Sequence, residues 1–562
     1  MNADASRPSG KPPFLSPFEL GTTTMVEEEW RKELESSGYA AEFPDETAEI
    51  MSGIRIGVSI EFNGNRRRNR NCVNLRSATD DPIIEEKVNA VIMADVKAKK
   101  KAGPFDSQPF LYFSSSPIGA VPKKGTCKIR VIHHLSHPFR GDSINSSITE
   151  KYQPLGNFDA ACVLIRRLGR GCWLIKLDVE AAYKQVPVRE EDWPLLGFKW
   201  RGKFYYERVL PFGLTSSCRK WELYATALHY FLKKKFGVDC IVHYIDDYLF
   251  VLESRELAVH QLEAALSLCR RLGLPMSVEK TEGPTTSLTF LGIELDTVQM
   301  TARLSEEKLN ALRVLLEQWR NKTCATATEI QSLAGVLNFA CYVIRPGRAY
   351  KRRIYDAGEA ARCNGAGLSR LSAGMKKDLQ WWIRLAPQWN GVSLLDGQQW
   401  KDAPLIELYT DACDDGYGAV YGNEWFYGRW TEEELRRGRN KRNTTVSRSM
   451  PFFELLAAVK AAAAWCHLWR GKKITFRSDA STVVFALNNQ NSRSNRNAGL
   501  VRHLSHLACT HQFDFRCVHV PGQLNTLADP LSRGRIQEFK SLHPTAEAEP
   551  CQQVALPPLH TL

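Results

Sequence analysis

The stretch IVHYIDDYLFVL, residues 241–252, sets two adjacent aspartates, Asp246 and Asp247, in a run that is otherwise almost wholly apolar. The residues Ile241 to Ile245 and Tyr248 to Leu252 read as two short strands with Asp-Asp at the turn. Like charges this close repel, and at least one carboxyl pKa rises unless a cation compensates them. Two readings stand side by side. The aspartates are solvated residues of a tight turn, or they are half of a cation site held by buried strands. The rest of the chain has to decide between them.

At 562 residues the chain is too long for one core, so several domains are expected. With 43% hydrophobic and 10% aromatic residues it has the composition of a folded protein. A formal net charge of +13 fits a polyanionic partner, because basic grooves gain affinity by releasing counterions from phosphates. The 15 cysteines are scattered and never spaced C-x-x-C, which argues against a disulfide framework or a zinc site. Cys162 and Cys240 read as reduced core thiols. The start, MNADASRPSGKPPF, has no apolar segment of the signal-peptide kind. ELLAAVKAAAAW is interrupted by Lys460 and reads as an amphipathic helix, not a membrane span. An intracellular protein, cytoplasmic or nuclear, with no membrane partner is expected.

Residues 1–85 are rich in Pro, Ser, Glu and Arg and show little periodicity, so a disordered or accessory segment is expected there. Within it, NRRRNR at 65–70 reads as a nucleic-acid or import signal, or as a solvated charge run. A helical pattern follows in EEKVNAVIMADVKAKKKAG, and short β-like runs alternate with helices up to residue 300. EEKLNALRVLLEQW and ATEIQSLAGVLNFACYVI give amphipathic helices in a segment spanning 301–402. Residues 403–536 then read as three strands, a long helix over 452–468, a strand, two helices, a strand and a short helix. That order makes a complete small α/β domain. Residues 537–562 are expected to be a disordered tail.

CWLIKLDVEAAYKQVPV places Asp178 at the end of an apolar strand. Alone, Asp178 could equally be a strand-end helix cap. Joined with Asp246 and Asp247, it gives three carboxylates at strand ends that could converge. Such hard oxygen ligands suit two Mg²⁺ ions that activate a 3′-hydroxyl and stabilise a leaving pyrophosphate.

In order along the chain, IRVIHHLSHP, LDVEAAYKQVP, VLPFGLTSS, YIDDYLF, EKT and FLGIELD resemble the successive motifs of reverse transcriptases. The likeness is to retrotransposons of the LTR and tyrosine-recombinase kinds. LLGFKWRGKFYYERVLPFGL and SRSNRNAGLVRHL resemble the DIRS/Ngaro group in particular. The resemblance implies an α+β architecture: a right-hand polymerase followed by an α/β ribonuclease H-like domain with a five-stranded mixed sheet. Fingers and palm would occupy 86–300, with thumb and connection in 301–402. It further implies that Asp178, Asp246 and Asp247 bind two Mg²⁺ ions, with Mn²⁺ as a substitute. Asp246 is then the more direct ligand, and Asp247 contributes more through its charge. Tyr183 would sit under the incoming sugar and exclude a 2′-hydroxyl. Lys123 and Arg130 of PKKGTCKIR would clamp the triphosphate, Phe212 and Gly213 would line the nucleotide pocket, and Leu291 and Gly292 would grip the primer end. Lys280 would approach the leaving phosphate. Without that context the same segments read as ordinary hairpins and turns. Two positions depart from the family pattern: His134 stands where an acid usually follows the finger strand, and Ala181 where some retroviral enzymes carry a second acid.

The α/β domain has spaced acids of its own. Asp411 ends its first strand, Glu454 lies in its long helix, Asp479 ends its fourth strand and Asp529 opens its last helix. Two strand-end and two helical carboxylates can meet at one sheet edge and hold two metals that activate water. The set resembles that of ribonuclease H, and His519 matches the family's loop histidine. Asp414 and Asp415 read as turn residues, and Met450 and Pro451 stand where the family has an amide before the glutamate. Arg345, Arg348, Lys351, Arg352 and Arg353 read as a phosphate path or as a solvated helix face, while Trp381 and Trp382 read as packing residues. The activity implied is RNA-directed DNA polymerisation with ribonuclease H cleavage. The partners implied are an RNA template, a DNA primer, an RNA–DNA hybrid and dNTPs. Two rivals remain: a non-catalytic nucleic-acid-binding protein, and a ribonuclease H on a polymerase-like scaffold.

Overall fold

The computed structural model describes the chain except residues 1–16, 18–19, 123–127, 140, 150–154, 157, 237–239, 364–366, 386–392, 395–405, 440–448, 493, 554 and 557–562. Lys123 and the expected boundary at 402/403 lie outside the described residues. The chain forms two compact units, one of residues 1–291 with 296–299 and one of residues 292–295 with 300–562.

The first unit begins with helices α1 (Glu27–Ser36) and α2 (Pro44–Ile56). Glu27, Glu28 and Glu29 in the first turn of α1 meet the positive end of its dipole, and Pro44 opens α2 where no backbone donor is needed. Trp30 and Leu34, then Ile50 and Ile54, are i,i+4 pairs that are fully buried. The Trp30 ring meets Tyr224 edge-on at 5.6 Å, and its Nε1 donates to the Leu272 carbonyl at 3.0 Å. Of the two alternatives expected for this segment, disorder is therefore corrected for residues 27–56: the many glutamates mask apolar residues that share a buried face. The NRRRNR run is stitched down too, with Arg66 donating to the fully buried Asp192 at 2.6 Å and Arg68 and Arg70 to the Asp142 carbonyl.

Helix α3 (Pro82–Lys97) is capped by Asp81, whose carboxylate accepts from the Ile83 amide at 2.8 Å. Strand β1 (Lys101–Phe105) follows, then the antiparallel hairpin of β2 (Ile118–Pro122) and β3 (Ile129–His133). Next come β4 (Trp173–Asp178), β5 (Gly197–Trp200), β6 (Lys203–Glu207) and the long helix α4 (Ser217–Phe236). The acidic stretch folds as β7 (Ile241–Tyr244) and β8 (Asp247–Leu252), followed by α5 (Arg255–Leu272) and β9 (Glu282–Thr285). These strands form an antiparallel sheet in the order β7-β8-β4-β9, whose register sets Asp178 opposite Asp247. Helices and antiparallel strands thus alternate in this unit, the α+β order expected for residues 86–300.

The second unit starts with helices α6 (Glu306–Trp319), α7 (Ala327–Ala340), α8 (Arg352–Cys363) and α9 (Ala373–Leu385). Trp382 is fully buried and Trp381 stacks on Tyr350 at 3.9 Å, so both tryptophans pack. Strands β10 (Ile406–Ala412), β11 (Gly416–Tyr421) and β12 (Glu424–Arg429) precede helix α10 (Met450–Trp465). Then come β13 (Lys473–Ser478), α11 (Ser481–Asn489), α12 (Asn495–His511), β14 (Asp514–His519), α13 (Ala528–Ser532) and α14 (Ile536–Leu542). The sheet order is β12-β11-β10-β13-β14, antiparallel in its first three strands and parallel in the rest, the five-stranded mixed sheet expected for this part of the chain.

Two expectations are corrected here. Helix α10 is not amphipathic: Phe452 through Val459 are buried without interruption, as in a helix enclosed on all sides. Lys460 leaves that core by pairing with Glu434 at 2.8 Å. Nor is the tail disordered through residue 553. Phe539 packs on Trp425 at 5.1 Å, the Trp425 indole donates to the Glu547 carbonyl, and the Cys551 amide donates to the Trp425 carbonyl, both at 2.8 Å. The tail thus covers the edge strand β12. The burial of Trp30 gives a direct check. Trp30→Ala is expected to lower the stability of the first unit by roughly 3–5 kcal/mol in urea unfolding, whereas a disordered segment would leave the transition unmoved.

Candidate active sites

Carboxylate oxygens of Asp178, Asp246 and Asp247 lie within 4.8 Å of one another. The antiparallel register fixes two of them, because Asp178 ends β4 directly across from the first residue of β8. The third stands in the two-residue turn between Tyr244 and Asp247, held also by the Val179 amide, which donates to the Asp246 carbonyl at 3.0 Å. Ile245, the first residue of that turn, has φ +58°, a conformation that costs a β-branched residue roughly 1–3 kcal/mol. Burial, then the neighbouring Asp246 and Asp178 charges, push the Asp247 carboxyl up to about 7. Burial and Asp178 raise Asp246 as well. Lys280 Nζ donates to Asp178 at 2.7 Å. Burial works against the Lys280 charge, and the Asp178 hydrogen bond and charge overcome it, so its pKa rises.

A cavity of about 790 Å³ opens on this cluster, lined by Asp178, Asp246, Lys280, Arg130, Tyr183 and Phe212 among others. The Arg130 guanidinium lies 4.8 Å over the Phe212 ring, which leans on Tyr183 at 5.3 Å. Burial raises the Tyr183 phenol well above its ordinary value. Gly213, at φ +109°, brings the loop onto β3, and a side-chain carbon there would stand 2.1 Å from the His133 carbonyl. Leu291 and Gly292, at φ +48° and +76°, form a tight hairpin turn of their own. His134, at the departing position, packs its ring against Phe139 at 5.1 Å.

In the second unit, carboxylate oxygens of Asp411, Glu454 and Asp479 also fall within 4.8 Å of one another. Asp411 accepts from Ser532 Oγ at 2.6 Å and from Asn525 Nδ2 at 3.3 Å. Neither partner stands out in the sequence, although both flank Asp529 in QLNTLADPLSR. Glu454 Oε1 accepts from the Ala412 amide at 3.2 Å, while its Oε2 is buried with no partner among the described residues. Burial, then the Asp411 and Asp479 charges, push Glu454 up to about 9, and burial pushes Asp411 up to about 6. The structure does not bring Asp529 into this cluster: Arg533 and Arg535 hold its carboxylate at 2.8 and 2.7 Å. His519 Nε2 lies 3.0 Å from the Asp479 carbonyl, so that nitrogen carries the proton and donates. Asp414 and Asp415 lie in the bend after β10, as expected. Four of the basic residues named for a phosphate path have partners: Arg345 lies 3.9 Å from Asp514, and Lys351, Arg352 and Arg353 donate to Asn338, Asp356 and Asp378.

Both clusters fit divalent cations. Each brings three hard oxygen donors together around at least one buried carboxylate, and Glu454 Oε2 lacks, among the described residues, the partner that a buried oxygen needs.

Residues 121–295 match the family model described as reverse transcriptase (RNA-dependent DNA polymerase). Over 381 residues the chain is 24% identical to polyprotein P3 of Commelina yellow mottle virus, covering 66% of this chain and 18% of that protein. It is 22% identical to the retrovirus-related Pol polyprotein from transposon opus of Drosophila melanogaster, covering 88% of this chain and 48% of that one. The chain thus spans less than half the length of these curated relatives. A solved foamy viral protease-reverse transcriptase in complex with dsDNA aligns at a TM-score of 0.47 and 16% identity, covering 91% of this chain and 99% of that one.

The raised carboxyls set a pH dependence. Folded Asp247 keeps its proton up to about pH 7, whereas the unfolded group releases it near 3.8. Its contribution is therefore fully present below about pH 4 and is lost as pH rises through 7. In chelator, Asp247→Asn is expected to raise the unfolding free energy at pH 8 by about 1–3 kcal/mol. The gain should vanish near pH 4 and shrink when a divalent salt is added, read as melting temperatures across pH.

Proposed function

We propose, for a chain whose residues 121–295 form a reverse transcriptase domain, that it is an RNA-directed DNA polymerase that copies retroelement RNA into DNA. We further propose that its second unit is a ribonuclease H that cleaves the RNA of the resulting hybrid. The observation that carries the first reading is the convergence of Asp178, Asp246 and Asp247, the first two of which line a cavity that also presents Arg130 and Lys280. The second rests on the like convergence of Asp411, Glu454 and Asp479 on a mixed five-stranded sheet.

Magnesium, with manganese as substitute, is the ion proposed for both clusters, since every donor is a carboxylate oxygen. When bound, the ions supply the positive charge that activates the attacking hydroxyl or water and stabilises the leaving oxygen. The chain's own groups do the rest. Arg130 and Lys280 present cations to a triphosphate. Tyr183 would lie under the incoming sugar and exclude a 2′-hydroxyl, with Phe212 beside it lining the nucleotide pocket. Gly213 keeps the loop close to β3, and Leu291 and Gly292 offer a stiff turn to the primer end. His519 orients Asp479 through the backbone, and Asp529 joins the second cluster only when Arg533 and Arg535 release it. Template, primer, hybrid and dNTPs are the proposed partners.

Two variants separate the halves. Asp246→Asn is expected to reduce primer extension on an RNA template by roughly 10³-fold or more while leaving hybrid cleavage intact. Asp479→Asn is expected to do the reverse. Wild-type protein that shows no divalent-dependent extension would remove the polymerase reading, and full cleavage by Asp479→Asn would remove the ribonuclease H one.

A further inference from the structure

We infer that Trp221 is a positioning residue that locks the strained turn presenting Asp246. This rests on the polymerase reading of that cluster.

The β7–β8 turn has two central residues, Ile245 and Asp246, because Tyr244 pairs with Asp247. Only the first of them has positive φ, at +58°. That is the pattern of a II′ turn, whose first central position ordinarily takes glycine. Here it holds a β-branched side chain, the worst suited to that region. The turn's own sequence therefore does not specify its conformation, and something outside it must.

Helix α4 supplies the contact. The Trp221 indole Nε1 donates to the Ile245 carbonyl at 2.8 Å, and the ring is fully buried. That carbonyl belongs to the peptide joining Ile245 to Asp246. Rotating this peptide out of the II′ arrangement would turn its oxygen away from the indole and swing Asp246 from its neighbours. Other contacts on the same stretch of α4 hold the strands and not the turn. Glu222 meets His243 Nε2 at 2.9 Å, His229 meets His243 Nδ1 at 2.9 Å, and Tyr248 donates to the Ala225 carbonyl at 3.0 Å. Trp221 alone among these reaches the turn peptide. A purely structural role would need only its ring, so removing the N–H while keeping an aromatic side chain separates the two roles.

The test uses the full chain carrying Asp479→Asn, so that Mn²⁺ binding measured by electron paramagnetic resonance reports the Asp178 cluster. Adding Trp221→Phe is expected to weaken Mn²⁺ binding at least about tenfold and to lower the kcat of primer extension by a similar factor. The KM for dNTP should stay within about threefold, and the melting temperature should barely move. Adding Ile245→Gly removes the need for the lock and should restore both Mn²⁺ affinity and kcat to within about threefold. In a chain with Asp479 intact, Trp221→Phe should cleave hybrid as the wild type does. Unchanged Mn²⁺ affinity in Trp221→Phe overturns the inference, and so does a loss that Ile245→Gly fails to restore. If the wild type never extends a primer while the Mn²⁺ loss and its rescue hold, the polymerase reading falls and the lock stands.

Discussion

Mutual repulsion among Asp178, Asp246 and Asp247 is the constraint around which the first unit is built. Two unit charges 4.8 Å apart, the outer limit of this cluster, repel by roughly 3–4 kcal/mol at an effective dielectric of 20. One lysine, Lys280, pairs with one of the three. A turn cannot absorb such a load through local hydrogen bonds, each worth about 1 kcal/mol. The β4–β8 register can, because sliding β8 would expose Tyr248, Leu249, Phe250, Val251 and Leu252, all buried, at roughly 1.5–3 kcal/mol each. The apolar flanks of the acidic turn are therefore what keeps the acids together. In turn they leave the cluster short of positive charge, which is the state a divalent cation relieves.

The second cluster follows the same logic with a sharper division among its acids. Asp411 and Glu454 are buried and receive only neutral donors: a serine hydroxyl, an asparagine amide and one backbone amide. Asp529 sits between two guanidiniums. An acid already matched by Arg533 and Arg535 has less to gain from a metal than one whose protonation is forced by burial. The four acids are thus unequal: among the described residues Asp529 is held in ion pairs, and the other three show none. That inequality makes Asp529 the member whose engagement would depend on what approaches the two arginines, and a phosphate is the group best able to draw them off.

Much of this was legible in the sequence. Strand-end acids can be read because a charged residue closing an apolar run has few alternatives, and the order of elements from β10 to α13 follows from the switch between two-residue and helical periodicity. The N-terminal helices were concealed because three glutamates and scattered polar residues outweigh two apolar pairs in any compositional measure. Yet Trp30 with Leu34 and Ile50 with Ile54 already carry helical spacing. The tail was hidden for a different reason: its partners, Trp425 and Tyr427, lie more than a hundred residues upstream. Long-range pairing also explains why α10 read as amphipathic. One lysine in an alanine-rich helix looks like a polar face until Glu434 is seen to take it. For Asp529 the motif pointed to a ligand, but a motif does not report which way Arg533 and Arg535 turn.

Strain and repulsion meet at a single peptide. A glycine at position 245 would relax the turn, since glycine enters the left-handed region without the steric cost that a β-branched residue bears there. The isoleucine carries that cost, which is tolerable because α4 is anchored independently. Tyr224 and Phe231 lie in the same core as Trp30, so the helix carrying Trp221 is fixed by contacts that owe nothing to the turn. Stability drawn from a distant aromatic core thus holds in place a local arrangement that the acidic residues, left to themselves, would abandon.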